Sequence, residues 1–576
     1  MPISCLRHLI GLAACAATLL NPLHAVSDRP SESVRPGRPN VLLILTDDQG
    51  YGDVGFNGNP LVRTPTIDHL AAAAVVFDRF YAYPVCSPTR ASLMTGRHAM
   101  RTGVIDTEEG ASILRPSETT IAQLLRKAGY RTGLFGKWHL GDNAPARPID
   151  HGFEVSLTHV GGMIGAPYSP LDANSYFDPV LLSNGAEKRF KGYCVDILTD
   201  AAIEFIKAAK SDPFFVYWAP NTPHHPLTVE DRYAKPYLAA GLSEETARYY
   251  GMITNIDDNL ARILAVLRET GTAENTLIIF VGDNGTSSLH QQADLWEVGL
   301  RGRKTHVYEG GIRVPMLAKL PAGAGVHRRT RQAAGIEDIM PTILDVCGLG
   351  IPVHLDGTSL LPHLRGAAET ERTIIRQFHR GTAPVRYRNV AVIQHPYKLV
   401  QPAGRGVLPF SEEAMRFELY DLADDPGESR DLATQHPDIV ARMRAVYSQW
   451  FDAATTSGFA PVPIWIGADR QGSVRLSRQD WRGGGLFDGE LGHYIIDVRK
   501  AGKYRINCRW SELLKEARPV TLRIGNQVWH RSILYAEAES RFEGIQLPAG
   551  VTELEAWVEI GGRRCGFRFI EIEPLP

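Results

Sequence analysis

The stretch Val41-Leu42-Leu43-Ile44-Leu45 decides the fold that this sequence predicts. Consecutive branched apolar residues of this kind are typical of a β-strand that is buried on both faces of a sheet. The run ends at Asp47-Asp48, and three further apolar runs, at 130–135, 214–218 and 276–281, each follow a segment with helical periodicity. This alternation of helices and buried strands predicts an α/β domain with a mostly parallel sheet flanked by helices.

Polar side chains follow all four predicted strands. Because ligands of open parallel sheets bind beyond the carboxyl ends of the strands, these side chains predict one active site at that edge. Oxygen ligands without histidine or cysteine suit Ca²⁺ or Mg²⁺ rather than zinc. One acidic pair at a strand end is commonly a turn former or a helix cap, but two such pairs favour a metal site. The side chains, in chain order, are Asp47, Asp48, Lys137, His139, His224, Asp283 and Asn284.

The pattern changes twice after the α/β region. From about residue 372, short strands and a closing helix predict a small α+β subdomain. From about residue 459, segments that alternate as half-buried strands and are separated by glycine-containing turns predict a separate β-sandwich. The predicted organisation is a signal peptide at 1–25, a linker at 26–39, a catalytic α/β domain at 40–371, a C-terminal α+β subdomain at 372–458 and a β-sandwich at 459–576.

The N-terminal residues predict export. Basic residues precede an apolar stretch at 9–20, and Ala25 offers a small residue for cleavage. The stretch is too short to cross a bilayer, so we interpret it as part of a secretory signal peptide. The alternative is a bacterial lipoprotein signal that leaves Cys15 lipidated at the mature N-terminus. The prediction is a secreted or periplasmic protein without a transmembrane anchor.

The net charge and the cysteines limit the classes of function that the sequence allows. The formal net charge of −2 gives no global basic field that would recruit nucleic acid. An anionic substrate must therefore be held by local cations, for which Lys137 and Lys304 are candidates. Among the cysteines outside the predicted signal peptide, Cys508 and Cys565 lie in one region and could pair. We interpret Cys194 and Cys347, which have apolar neighbours, as buried residues without a chemical role. Four further residues are interpreted as surface groups or groups with structural partners: His225, Arg301, Arg303 and His306.

Cys86 stands apart, in Cys86-Ser87-Pro88-Thr89-Arg90. Pro88 predicts the beginning of a helix, which would place Cys86 where backbone N–H groups favour anions. Arg90, one turn further along, can fold back toward the same point. The competing interpretation is a capped surface helix with an incidental thiol. Together, the cations and acids indicate a dianion held between a metal and lysines, with histidines for proton transfer, and phosphate and sulfate esters both fit.

A resemblance decides between the two esters. Residues 86–97, Cys-Ser-Pro-Thr-Arg-Ala-Ser-Leu-Met-Thr-Gly-Arg, match the signature of the formylglycine-dependent sulfatases of the alkaline phosphatase superfamily. The likeness covers roughly residues 40–451 and implies an alkaline-phosphatase-like fold. Other segments that resemble the blocks of this family, in its order, are 40–52, Gly136-Lys137-Trp138-His139-Leu140-Gly141, Asp283-Asn284-Gly285, 302–313, and Tyr420-Asp421-Leu422 with Asp425-Pro426 and Glu428.

The resemblance implies a modified residue 86. A formylglycine-generating maturation enzyme would oxidise Cys86, and Pro88 and Arg90 complete the Cys-x-Pro-x-Arg core that this enzyme recognises. The aldehyde hydrates to a geminal diol, which supplies the attacking hydroxyl. The metal that the resemblance implies is Ca²⁺, bound by positions matching Asp47, Asp48, Cys86, Asp283 and Asn284.

The resemblance also implies roles for the remaining site residues. Lys137 and Lys304 would neutralise the sulfate oxygens, and Asp283 would help to activate the attacking hydroxyl. His224, the first histidine of the family's Pro-His-x-Pro pattern, would protonate the departing alcohol. His139 would then take the proton of the second hydroxyl, so that sulfate leaves and the aldehyde returns.

The substrate is the least specified part of the prediction. Export and the appended β-sandwich, which weakly resembles carbohydrate-binding modules, favour a sulfated carbohydrate. The alternative role for the β-sandwich is a structural lid on the catalytic domain. Residues 159–176 and 286–299 are expected to line the outer pocket. The rival functions are a phosphonate monoester or phosphodiester hydrolase of the same superfamily and a catalytically silent glycan-binding protein.

Overall fold

The computed structural model describes residues 37–166, 169–172, 174–209, 211–287, 289–290, 292–321, 326–468, 472–484, 491–510, 518–533 and 538–576. The predicted signal peptide, the alternative lipidation site at Cys15 and most of the predicted linker lie outside these residues. Among the described helices, none combines the length and the apolar character that a membrane crossing requires.

The first part of the chain builds one large sheet. Its ten strands lie in the order β11-β2-β10-β9-β1-β8-β4-β5-β6-β7, and β3 pairs with β12 separately. Strands β9, β1, β8, β4 and β5 form a continuous parallel core, whereas β10, β6 and β7 join it antiparallel. The strands are β1 (Asn40–Thr46), β2 (Val75–Phe77), β3 (Phe80–Tyr81), β4 (Arg131–Gly136), β5 (Val155–Thr158), β6 (Val180–Ser183), β7 (Ala186–Arg189), β8 (Phe214–Ala219), β9 (Thr276–Gly282), β10 (Met316–Lys319), β11 (Arg328–Thr330) and β12 (Ala334–Gly335).

The opening apolar run is β1, the centre of the parallel core. Leu43 and Leu45 pack into one apolar cluster, while Leu42 and Ile44 pack into another. Successive side chains of a strand point to opposite faces, so both faces of β1 are covered. The other three predicted strands are β4, β8 and β9; β8 and β9 pair with β1, and β4 pairs with β8. The predicted α/β fold with a mostly parallel sheet is confirmed.

Helices cover both faces of the sheet. Residues of α2, α4 and α9 share the cluster of Leu43, whereas residues of α1, α5 and α7 share that of Leu42. The longest helix extends twelve residues before the segment predicted at 256–269, because the Ser243 side chain caps it by accepting the N–H of Thr246. The helices are α1 (Pro65–Ala72), α2 (Cys86–Thr95), α3 (Ala99–Thr102), α4 (Ile121–Lys127), α5 (Cys194–Ala209), α6 (Asp231–Ala239), α7 (Glu244–Glu269), α8 (Glu309–Ile312), α9 (Ile339–Val346), α10 (Leu361–Leu364) and α11 (Pro437–Ala454).

A four-stranded antiparallel sheet follows the large one, as the sequence pattern predicts. Its strands pair in chain order, and α11 packs on it through Met443 and Tyr447, which share a cluster with Val390 and Leu399. The strands are β13 (Ile374–Gln377), β14 (Val390–Gln394), β15 (Tyr397–Gln401) and β16 (Glu418–Asp421).

The last part of the chain forms two sheets around one apolar cluster. One has the order β17-β19-β24-β21-β22, with β25 on β24, and the other has the order β18-β26-β20-β23. The pairing of Cys508 with Cys565 that the sequence left open does not occur, because Cys508 lies inside the core on one sheet and Cys565 on a short strand of the other. The strands are β17 (Ile464–Ile466), β18 (Val474–Ser477), β19 (Tyr494–Val498), β20 (Gly502–Arg509), β21 (Arg518–Ile524), β22 (Gln527–Ile533), β23 (Glu539–Leu547), β24 (Gly550–Ile560), β25 (Arg563–Cys565) and β26 (Phe569–Pro574).

Candidate active site

The carboxyl ends of β9, β1, β8 and β4 bring the predicted site residues together. Backbone hydrogen bonds between neighbouring strands continue past the strand ends. Asp47 N–H donates to Thr222 O at 3.1 Å, and Asp283 N–H donates to Thr46 O at 3.0 Å. Lys137 N–H donates in the same way to the last residue of β8, at 2.7 Å. The backbone of the first site residues is therefore held by the sheet itself.

Four oxygen-bearing side chains lie in contact at this edge, all buried. Asp48 N–H donates to Asp283 Oδ1 at 3.0 Å, and Asn284 Nδ2 donates to Asp48 Oδ1 at 2.8 Å. Lys137 Nζ donates to both carboxylate oxygens of Asp47, at 2.9 and 2.8 Å. The predicted set of Asp47, Asp48, Asp283 and Asn284 thus forms one cluster.

The electrostatics of this cluster favour a cation. Burial would raise the pKa of Asp47, but Lys137, His224 and Arg90 together hold that pKa well below its usual range. Burial and the neighbouring Asp47 raise the pKa of Asp283 to about 7. Within the part of the chain that the structure describes, the buried Asn284 Oδ1 has no hydrogen-bond partner. Crowded carboxylates and an unsatisfied amide oxygen are the donors that a hard divalent cation takes, so the residues fit such an ion.

Cys86 begins helix α2 and is 2 % exposed. Its Sγ lies within 4.8 Å of ligand atoms of Asp47 and Asp283, and likewise of Asp48 and His224. The helix starts at Cys86 itself, two residues before the start predicted at Pro88. All of its residues are buried, so the interpretation as a surface helix is wrong. Burial raises the pKa of the Cys86 thiol to about 11, although two lysines oppose this.

Arg90 folds back into the cluster, as its position in the first turns of α2 predicts. Its NH2 group donates to Asp283 Oδ2 at 2.9 Å and lies 3.4 Å from Asp47 Oδ1, while NH1 donates to Lys137 O at 2.9 Å. The guanidinium is fully buried. Arg90 therefore fixes two carboxylates relative to the start of α2.

Lys304 and His224 join the cluster at Asp48. Lys304 Nζ donates to Asp48 Oδ1 at 2.5 Å, and His224 Nε2 lies 3.7 Å from Asp48 Oδ2. His224 Nδ1 lies 2.7 Å from the carbonyl oxygen of His225. Because a carbonyl oxygen only accepts hydrogen bonds, Nδ1 carries the hydrogen. Nε2 is the ring nitrogen that faces the cluster. Burial lowers the pKa of His224 to about 4, against the opposing effect of Asp48.

His139 reaches the site by an unexpected backbone conformation. The sequence predicts that Lys137 and His139 share one side of an extended segment, but His139 has a left-handed φ of 58°. Its Nε2 lies 2.9 Å from Thr107 O, so Nε2 carries the hydrogen. The other ring nitrogen, Nδ1, is buried and makes no hydrogen bond to any described residue. Nδ1 is therefore the basic atom of this ring.

Comparison with known proteins identifies the family. The family model described as "Sulfatase" matches residues 39–349. This chain belongs to the sulfatase family. It is therefore a sulfuric ester hydrolase. A second model, "N-sulphoglucosamine sulphohydrolase, C-terminal", matches residues 300–449 of this sulfatase, and neither match extends into the β-sandwich.

Three known proteins show the range of the similarity. Human N-acetylgalactosamine-6-sulfatase is 33 % identical to this sulfatase over 379 residues, which cover 60 % of this chain and 69 % of the human protein. Human arylsulfatase A is 29 % identical over 494 residues, which cover 75 % of this chain and 91 % of that protein. The crystal structure of Ps i-CgsB in complex with k-i-k-neocarrahexaose superposes with a TM-score of 0.65 at 27 % identity, covering 74 % of this chain and 95 % of that one.

Two contacts of the sulfatase site were not predicted from the sequence. Asn221 Nδ2 donates to Asp47 Oδ2, and Tyr249 OH donates to the backbone oxygen of Asp48 at 3.1 Å. Asn221 follows β8, so the strand-end rule that identified His224 could have found it. Tyr249 lies within α7, where nothing in its sequence neighbourhood points to the site.

The residues predicted to be surface or satisfied groups have other partners. Arg301 NH1 donates to Tyr420 OH at 2.7 Å, and Arg303 NH2 pairs with Glu297 at 2.5 Å.

Of the two segments expected to line the outer pocket, the first, 159–176, lies against His139 at Gly162. A Cβ added at Gly162 would be 2.5 Å from the His139 ring. Parts of both segments, at 167–168, 173, 288 and 291, lie outside the described residues.

We expect Asn221→Ala to lower kcat/KM for an aryl sulfate by about 10–100-fold, because partners of this kind orient the groups that bind a metal. The matched control is Asn507→Ala on β20, whose side chain accepts from Arg541 in the β-sandwich. Steady-state kinetics of both variants check the expectation. Equal activities of Asn221→Ala and the wild type would show that Asp47 needs no support from this amide.

Proposed function

We propose that this sulfatase hydrolyses sulfate esters of a carbohydrate, using Ca²⁺ and a formylglycine formed from Cys86. The observation that carries the proposal is the position of Cys86 within the cluster of Asp47, Asp48 and Asp283. A catalytic cysteine normally has a lowered pKa, because the thiolate is the nucleophile. Burial raises the pKa of the Cys86 thiol, so without a metal the encoded side chain is not prepared as a thiolate. The Cys-x-Pro-x-Arg segment supports the modified residue.

The metal would be held by residue 86 together with Asp47, Asp48, Asp283 and Asn284. Their oxygen donors match the preference of Ca²⁺ for carboxylate and amide ligands. When present, Ca²⁺ supplies a Lewis acid at the sulfate, and hydrated formylglycine supplies the attacking hydroxyl. Arg90, which contacts two of the carboxylates, would keep this ligand set in place.

Four side chains would bind the sulfate group and transfer protons. Lys137 and Lys304, both bonded to carboxylates of the cluster, would bind the sulfate oxygens and stabilise the charge that develops there. His224 directs Nε2 toward the cluster; since Nδ1 already carries a hydrogen, Nε2 would donate to the departing alcohol from the protonated ring, a form that the nearby Asp48 carboxylate favours. His139, whose Nδ1 is the basic atom, would accept a proton in a step after the alcohol has left.

A carbohydrate substrate is supported by the relatives. One similar protein is named for the amino sugar N-acetylgalactosamine, and the Ps i-CgsB structure contains k-i-k-neocarrahexaose. We further propose that residues 40–371 and 372–458 form the sulfatase proper, that residues 459–576 are an added domain, and that the chain is exported and matured by a formylglycine-generating enzyme. The signal-like residues 1–25 and the Cys-x-Pro-x-Arg segment support these two steps.

A substrate panel tests the proposed reaction. We expect release of inorganic sulfate from a sulfated oligosaccharide, with a higher kcat/KM than for an aryl sulfate, since sugar contacts add to transition-state binding. An aryl phosphonate monoester, assayed under the same conditions, is the control for the rival activity. A higher kcat/KM for the phosphonate than for every sulfate ester would overturn the proposal.

We expect Cys86→Ser to abolish turnover without unfolding the protein, because a maturation enzyme that recognises Cys-x-Pro-x-Arg would no longer find the cysteine that it oxidises. Cys194→Ser, at another buried cysteine outside the cluster, is the matched control and should retain activity. Peptide mass spectrometry of residue 86 in the wild type should show formylglycine. Normal turnover by Cys86→Ser would exclude Cys86 as the precursor of the nucleophile.

Removal of the metal should inactivate the sulfatase, and Ca²⁺ should restore it. We also expect the melting temperature to fall on chelation, since an ion that binds only the folded state stabilises it. Elemental analysis should find the metal in the wild type and much less in Asp48→Asn. Full activity in a sample verified to be metal-free would contradict the metal assignment.

A further inference from the structure

One tight turn of the β-sandwich packs against the catalytic domain. This turn, residues 477–482, follows β18 and is named here the docking turn. Ser477 N–H donates to Asp480 Oδ2 at 2.8 Å, and Asp480 N–H donates back to Ser477 O at 3.0 Å. Gln479, Asp480 and Trp481 are all buried. The turn is therefore internally closed and covered by protein.

The docking turn binds both backbone groups of Gly110. Gly110 N–H donates to Gln479 O at 2.8 Å, and Arg482 NH2 donates to Gly110 O at 3.0 Å. Gly110 has a φ of +62°, and a Cβ there would be 2.9 Å from Arg482 Nε. Only glycine allows this approach without strain. The contact thus depends on a residue in each domain.

The remaining contacts make the β-sandwich continuous with the catalytic domain. Asn143 Nδ2 donates to Arg475 O at 3.0 Å, and the N–H of Trp465 donates to Ala144 O at 2.8 Å. Ile113 and Ala146 of the catalytic domain belong to the apolar core of the β-sandwich. A module attached only by a linker would not share its core in this way.

Gly110 belongs to a short loop that also contacts His139. In this loop, residues 105–113, Ile105 N–H donates to Ala111 O at 3.0 Å, which closes the loop upon itself. Thr107 supplies the carbonyl that accepts the Nε2 hydrogen of His139 at 2.9 Å. From the α+β subdomain, Gly381 N–H donates to Asp106 Oδ2 at 2.8 Å. The loop is thus held at one end by the subdomain and at the other by the docking turn.

We propose that the docking turn is a positioning element of the active site. By holding the loop at Gly110, it places the Thr107 carbonyl so that His139 carries its hydrogen on Nε2 and presents Nδ1 as the base. The inference rests on the proposed role of His139 in a step after the alcohol leaves. It assigns to the β-sandwich a function in catalysis, through Arg482 and Gln479, rather than one in distant glycan binding.

The test removes the Arg482 contact and keeps the bulk of the side chain. We expect Arg482→Met to accelerate amide hydrogen exchange of peptides within 105–113, since loss of a contact lowers local stability. We expect kcat to fall about 10–100-fold, the effect of a small misplacement of a catalytic group. Arg482→Lys, which can still donate to Gly110 O, should restore most of both properties. Arg523→Met is the matched control, because Arg523 pairs with Glu553 and Glu555 inside the β-sandwich.

Stopped-flow kinetics with an aryl sulfate separate a positioning effect from general damage. If His139 acts after the alcohol leaves, Arg482→Met should release the first equivalent of aryl alcohol at the wild-type rate and then turn over slowly. His139→Ala should show the same burst, and its absence there would refute the proposed role of His139 instead. Wild-type exchange and kcat in Arg482→Met, or an equal slowing of the first and later turnovers, would overturn the positioning role.

Discussion

Repulsion among three buried carboxylates is the constraint on which this site depends. Asp47, Asp48 and Asp283 share a volume from which water is excluded, where uncompensated negative charge is costly. Lys137 and Lys304 keep two of them ionised, but the pKa of Asp283 remains near 7. Lys137, Lys304 and Arg90 match the three carboxylates in formal charge, yet Asp283 remains the least stabilised anion of the three. A bound dication would favour the ionised form of Asp283, so the crowding of the carboxylates creates affinity for a metal.

The central sheet holds the crowded carboxylates in place. Strands β9, β1, β8 and β4 are adjacent and covered on both faces, so their ends cannot separate without exposing two apolar clusters. The hydrogen bonds that continue to Asp47, Asp283 and Lys137 place these residues in the same register as the strands. Packing far from the site thus opposes the electrostatic tendency of the carboxylates to move apart.

Local patterns explain which features the sequence could predict. The apolar run at 41–45 predicts β1, because a strand that is buried on both faces needs only apolar side chains. The rule that ligands bind at the carboxyl ends of parallel strands then predicts that the acidic residues, Lys137 and His224 belong to the site. The left-handed φ of His139 could not be predicted in this way, since the neighbours of its ring, Gly162 and Thr107, are distant in the sequence. The same limit applies to the separation of Cys508 from Cys565, because it depends on which sheet each strand joins. The contact of Tyr249 with Asp48 is likewise set by the path of α7 across the sheet.

The environment of Cys86 argues that the mature site is not built around a thiol. A reactive thiolate needs surroundings that stabilise negative charge on sulfur. Here burial and the carboxylates Asp283 and Asp47 oppose ionisation, and the two lysines are already bonded to acids of the cluster. A neutral hydroxyl bound to residue 86 would carry no such penalty, and its oxygen is a ligand that a hard cation accepts. The surroundings of Cys86 therefore suit an oxygen nucleophile such as the hydrated formylglycine that we propose.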